Sequence, residues 1–215
     1  NTKSGENEGY LLIGEDDLDL DHGFLERTHS YPKNGQTYWM LIFNKIIAGI
    51  NNSYNTSYDN HLRSFSIKDA QIIGDLSYII GVKEYQTYIR SVFFETLLIK
   101  NICKYQNIST TDDYGTYVCD GKSDLFIEKY KNEFPKIYFQ HGELNTTFIL
   151  DQYDLFTYNN LDKTDTKIYF LVLFQNKDDP YVSPEAPSKM IIKRWKFGIP
   201  FLKKYKLYFN NEENI

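Results

Sequence analysis

A chain of 215 residues can bury one large core or two small ones. Its 24 basic and 29 acidic side chains leave a net charge of -5, which argues against a general electrostatic pull toward nucleic acid or anionic lipid. Aromatic residues reach 17%, with 19 Tyr and 15 Phe, and rings suit a pleated, half-buried surface, so the expected fold is mainly β.

Residues 1–9 are polar and are expected to be a disordered tail, and 10–215 read as one domain, because no internal repeat or linker interrupts them. Tyr10 to Ile13 is a short buried strand ended by Gly14; it is too short for the apolar core of a signal peptide, so the chain reads as a mature protein or an internal fragment. Strands are expected from Gly23 to Arg27 and from Gln36 to Ile50, the second interrupted at Asn44 and Lys45 and ended by Gly49. The Asn, Ser, Tyr and Asp residues between Ile50 and Arg63 form a surface loop. From Val82 to Lys104, Tyr85, Tyr88, Ile89, Val92, Phe93, Thr96 and Leu97 recur at the spacing of one long amphipathic helix. A strand at Tyr117 to Cys119 follows. A hairpin then joins Phe134–Phe139 to Thr147–Leu150 across Gly142, with Pro135 confined to a strand start. Lys167 to Gln175 and Met190 to Phe209 are the last strands. The basic residues of the closing segment, Lys189, Lys193, Arg194, Lys196, Lys203, Lys204 and Lys206, alternate with apolar ones as on a strand with one wet face.

Chemistry-bearing residues are sparse. Cys103 and Cys119 lack a metal-ligand spacing and are expected to pair as a local disulfide. Together with the glycosylation sequons at Asn51, Asn55, Asn107 and Asn145, they point to the secretory pathway, with the product secreted or held at the cell surface or in vesicles. His22, His29, His61 and His141 show no metal-binding spacing and read as surface residues. Asp17, Asp19 and Asp21 only faintly suggest a calcium loop, since Gly23 falls one place late and Thr28 stands where a Glu is needed. No metal or cofactor is implied. The apolar runs are far below the ~20 residues of a membrane-spanning helix.

Three segments resemble the C-terminal lobe of pepsin-like aspartic proteases. Gly198, Phe201 and Tyr205, within the stretch from Trp195 to Phe209, match the closing motif of that family. Phe134, Pro135, Ile137 and Phe139, followed by Leu150 and Tyr153, resemble its hairpin. Gly14, the acidic loop, Gly23, Leu25 and Gln36 through Phe43 resemble the strands that lead to the second catalytic aspartate. The resemblance implies a β-rich lobe without its N-terminal counterpart.

The catalytic motif departs from the pattern. Family members carry Asp, Thr or Ser, Gly, then Thr or Ser, with a further Gly downstream. Alignment back from Gly81 and Ser77 puts Ile73 at the aspartate and Asp75 at the Gly, so the degraded motif comprises Ile73, Gly74, Asp75, Leu76 and Ser77. Placing Asp75 at the catalytic position instead requires a two-residue deletion and leaves Leu76 and Ser77 for Thr-Gly. Ile199 replaces the aspartate of the closing motif. Aspartic proteolysis needs two carboxylates sharing one proton about 3 Å apart, one from each lobe.

The resemblance therefore implies a pseudoprotease lobe that binds a protein, either an N-terminal pepsin-like lobe or another chain, through a face around Trp195, Phe197 and Phe201. The rival expectation is an active aspartic endopeptidase subunit with Asp75 as its half of the dyad. Carbohydrate binding has only the aromatic content behind it.

Overall fold

The structure is a computed structural model and describes residues 40–50, 63–108, 114–141, 147–159, 166–176 and 194–205. The expected strands at Tyr10 to Ile13 and Gly23 to Arg27, and the polar tail, lie outside the described residues.

The described chain is mainly β, as its ring content predicts. The strands, in chain order, are β1 Met40–Ile42, β2 Lys45–Gly49, β3 Arg63–Phe65, β4 Asp69–Ile72, β5 Ile79–Ile80, β6 Cys103–Asn107, β7 Tyr114–Asp120, β8 Lys136–Gln140, β9 Thr147–Leu150, β10 Phe156–Asn159, β11 Lys167–Phe170, β12 Val172–Gln175 and β13 Trp195–Phe197. Nine of them form one sheet, ordered β1-β4-β13-β5-β12-β7-β11-β10, with β6 on the other side of β7. The other four form a sheet ordered β3-β2-β8-β9.

The two sheets share a strand that changes allegiance. At the break expected around Asn44, the N–H of Phe43 donates to Lys68 in the large sheet and that of Asn44 to Gln140 in the small one. Phe43 is buried at this crossing, its ring within 6.1 Å of those of Phe139, Phe148 and Phe197. The segment expected as one strand from Lys167 to Gln175 is likewise two. It breaks at Leu171, where the buried Thr116 hydroxyl lies 2.7 and 2.8 Å from the carbonyls of Phe170 and Val172. The expected hairpin is present, with β8 and β9 antiparallel and Gln140 opposite Thr147.

The long helix starts as expected and ends early. It runs through α1 (Lys83–Ile89), a π-helical segment (Arg90–Phe94) and α2 (Glu95–Ile99). The wider turn rotates the helix, so Phe94 joins Tyr85, Ile89, Phe93 and Leu97 in the core while Thr96 faces solvent. Phe94 then stacks on Tyr117 with ring centroids 3.9 Å apart. Asn101 stops the helix at a φ of 57°. The N–H of Asn101 donates to Leu98 and that of Ile102 to Leu97, a Schellman closure in which Asn tolerates the left-handed position. The chain leaves this cap extended, so Cys103 lies on a strand rather than in the expected helix.

Three further helices were not expected from the sequence. In α3 (Asp124–Asn132) the Ser123 hydroxyl caps the N–H of Phe126, Asp124 and Lys129 suit the helix dipole, and Phe126 and Tyr130 bury one face. A capping box of Asp151 and Asp154 opens α4 (Gln152–Leu155). The expected strand from Met190 to Phe209 is corrected: β13 ends at Phe197, and Pro200, which cannot donate to a ladder, lies in the first turn of α5 (Ile199–Lys204).

Candidate functional site

Ile73 to Ser77 form the turn between β4 and β5, and its position is set by the segment from Trp195 to Ile199. β13 fills the space between those two strands, parallel to β4 with Trp195 beside Ala70, and antiparallel to β5 with Lys196 beside Ile80. The N–H of Ile73 donates to Phe197 at 2.8 Å, and that of Ile199 donates to Leu76 at 2.7 Å. Between these bonds lies Gly198, where a Cβ would overlap the carbonyl oxygens of both Leu76 and Tyr78. Gly198 is needed here for close approach of two backbones.

The turn itself carries little chemistry. Gly74, Asp75 and Ser77 are exposed, and Ile73 and Leu76 are half-buried. A Cβ at Gly74 would meet nothing within 4 Å. Asp75 is exposed, and Ile73 has no proton to exchange.

A second anchor holds the far end of α5. The Tyr205 hydroxyl accepts from the N–H of Ile149 at 2.7 Å and donates to its carbonyl at 2.9 Å. Burial raises the pKa of that phenol, which keeps it a neutral donor. Beside it, Lys204 donates to Asp154 at 2.6 Å, with Asp151 at 3.9 Å. Burial raises the Asp154 carboxyl above its ordinary range, and the Lys204 ammonium offsets part of that rise. Sequence reasoning missed this ion pair, because its members lie far apart in the chain and only the fold joins them.

The expectation that Trp195, Phe197 and Phe201 present an apolar face to a partner is corrected. All three are fully buried within the chain: Trp195 packs among Phe65, Tyr85 and Phe139, and Phe197 lies against Phe139 and stacks on Phe201. His141 is also buried rather than a surface residue, edge-on to Phe43. On β1, at the edge of the large sheet, Ile42 is 45% exposed. Among the described residues β1 pairs only with β4.

Cys103 and Cys119 form a disulfide across the β6–β7 pair. Asn107 is exposed at the end of β6, whereas Asn51, Asn55 and Asn145 lie outside the described residues, as do His22, His29 and His61. Among the described residues, no group of three or more His, Cys, Asp and Glu is placed to hold a metal, and no helix is long and apolar enough to cross a membrane.

The class these features define is a mainly β, disulfide-bonded domain. No protein-family model and no curated protein matches the chain.

Proposed function

We propose that this chain is a non-catalytic lobe of the pepsin-like type that works by binding a protein. One observation carries this reading. The two segments that resemble the family's catalytic and closing motifs are far apart in sequence, yet they lie side by side, with Gly198 against the turn that holds Ile73. An aliphatic side chain, Ile73, occupies the position that the resemblance aligns with the aspartate. Hydrolysis needs an ionisable pair around a water, which Ile73 cannot supply.

The partner is a second chain, an N-terminal pepsin-like lobe or another protein, that extends the large sheet along β1. Among the described residues the outer edge of β1 has no paired strand and Ile42 beside it is exposed, a surface of the kind that proteins cover or blunt. An obligate contact there exceeds about 1,000 Å².

The chain, purified from its source with its assembly intact, is expected to leave peptides uncut at acidic pH and to give no heat with a statine-type transition-state analogue. Tight analogue binding that vanishes in Asp75→Asn would overturn the non-catalytic reading and make Asp75 half of a working dyad. Light scattering tests the partner: Ile42→Lys should lose the larger species with an unchanged circular dichroism spectrum. A wild-type chain that stays monomeric at high concentration refutes the assembly.

A further inference from the structure

We propose that Tyr153, Tyr158 and Asp151 form a binding site for an arginine side chain presented by a protein partner. The site stands on three tyrosines that the fold brings together from α3, α4 and β10. Tyr130 of α3 is buried, and its ring packs on those of Phe126 and Phe156. Tyr153 of α4 meets it edge-on, with ring centroids 5.9 Å and planes 83° apart, and is itself 71% exposed. Tyr158 of β10 is 49% exposed, and its hydroxyl accepts from that of Tyr130. Burial first, then the two neighbouring phenols and Asp151, raise the pKa of Tyr130, which keeps it a donor.

The exposed rings are held before any partner arrives. In the capping box of α4 the N–H of Tyr153 donates to Asp151, and that of Asp151 donates to Asp154, each at 2.9 Å. Tyr158 is fixed through Tyr130 and by the pairing of β10 with β11, where it stands opposite Ile168. Side chains that are already ordered give up little conformational freedom on binding.

The chemistry around them selects a cation. The face of a phenol ring carries negative potential. Asp151 and Asp154 are two carboxylates against the one ammonium of Lys204, which lies 2.6 Å from Asp154 and 3.9 Å from Asp151. Lys204 is thus committed mainly to Asp154, and Asp151 keeps charge to offer. A purely apolar occupant would take water from that carboxylate and from the phenol hydroxyls without replacing it. A guanidinium is planar, stacks on an aromatic face and donates in a fixed fork to a carboxylate beside it. The net charge of -5 favours the approach of a basic partner. β10 and β1 stand at the two ends of the strand order of the large sheet, so this contact does not depend on the partner proposed at β1.

The test uses the full chain with isotope-labelled tyrosine rings, followed by nuclear magnetic resonance. The probes are acetyl-arginine amide and acetyl-citrulline amide, which has a head of similar shape without the charge. Spectra of Tyr153→Phe and Tyr158→Phe assign the two signals. Both should move and saturate with the arginine probe, with a dissociation constant in the millimolar range that suits one exposed contact. The citrulline probe should leave them in place. Asp151→Asn keeps the helix cap and removes the charge, and should weaken binding by about two- to five-fold. Tyr153→Ala should weaken it at least as much, and Tyr153→Phe less, because the ring face remains. An equal response to the two probes overturns the proposal, as do signals that stay still with arginine in a chain of native circular dichroism. A shift with a maltooligosaccharide and none with arginine also overturns it, and makes the patch a sugar site.

Discussion

The turn at Ile73 to Ser77 and the hairpin of β6 and β7 are both fixed in place, by opposite means. Main chain holds the turn: the N–H groups of Ile73 and Ile199 reach across to Phe197 and Leu76, and the one side-chain requirement is that Gly198 has none. Side chains hold the hairpin, through the Cys103–Cys119 bond, Phe94 stacked on Tyr117, and Gly115 under Tyr105. The difference teaches where side chains are free to vary: a turn held by backbone places few demands on the side chain at position 73, whereas a hairpin held by particular atoms tolerates few changes.

The contrast can be broken most forcefully at Gly198. Gly198→Ala forces two backbones apart and is expected to cost about 4 kcal/mol or more, read as a collapse of the denaturant midpoint. Loss of the disulfide in the double substitution Cys103→Ser, Cys119→Ser should cost about 3 kcal/mol for a loop of this size, with the fold retained. Equal stability with and without the bond would show that packing alone fixes the hairpin. Asn101→Ala places a Cβ-bearing residue without a local polar partner at a φ of 57° and should cost about 1 kcal/mol, while Asn101→Gly should not.

Ile73→Asp sharpens the comparison from the other side. At a half-buried position on an open turn, it should shift stability by less than about 1 kcal/mol. A large loss would mean that the turn depends on its apolar side chain. The smallest effect is expected at Glu84, which accepts from both the hydroxyl and the N–H of Ser66. Those two hydrogen bonds lower its pKa. The stability they add is present above the ordinary glutamate pKa and is lost as pH falls through the lowered one. Against wild type, Glu84→Gln should flatten that acidic limb slightly in a pH series of thermal melts.

Much of this was legible in the sequence where the cause is local. The polar interruption at Asn44 and Lys45 marks the crossing between sheets, and the three-and-four recurrence from Tyr85 to Leu97 marks the helix. The pairing of β8 with β9 follows from strand-forming residues on either side of Gly142 in the sequence. What escaped reading depends on geometry that a window of residues does not contain. A π-helical turn draws Phe94 inward, and an Asn in the left-handed region ends the helix before Lys104. Trp195, Phe197 and Phe201 look equally apolar whether they face a partner or a core; only the placement of β13 between β4 and β5 decides it. For the candidate site, the sequence showed Ile at position 73 and Asp at 75 but not that the backbone of the Trp195 to Ile199 segment packs closely against their turn.

That placement of β13 also orders events in time. Until residues 195–197 are made, β1 and β4 form a two-stranded ribbon separated from β5 by the width of an absent strand. Such a ribbon is marginal in water, and pairing across so long a stretch of chain is slow to form. On the ribosome, these two parts of the large sheet must therefore stay apart until residues 195–197 are made. A product that stops short of Trp195 leaves β4 and β5 without the strand between them, with unpaired edges facing the gap.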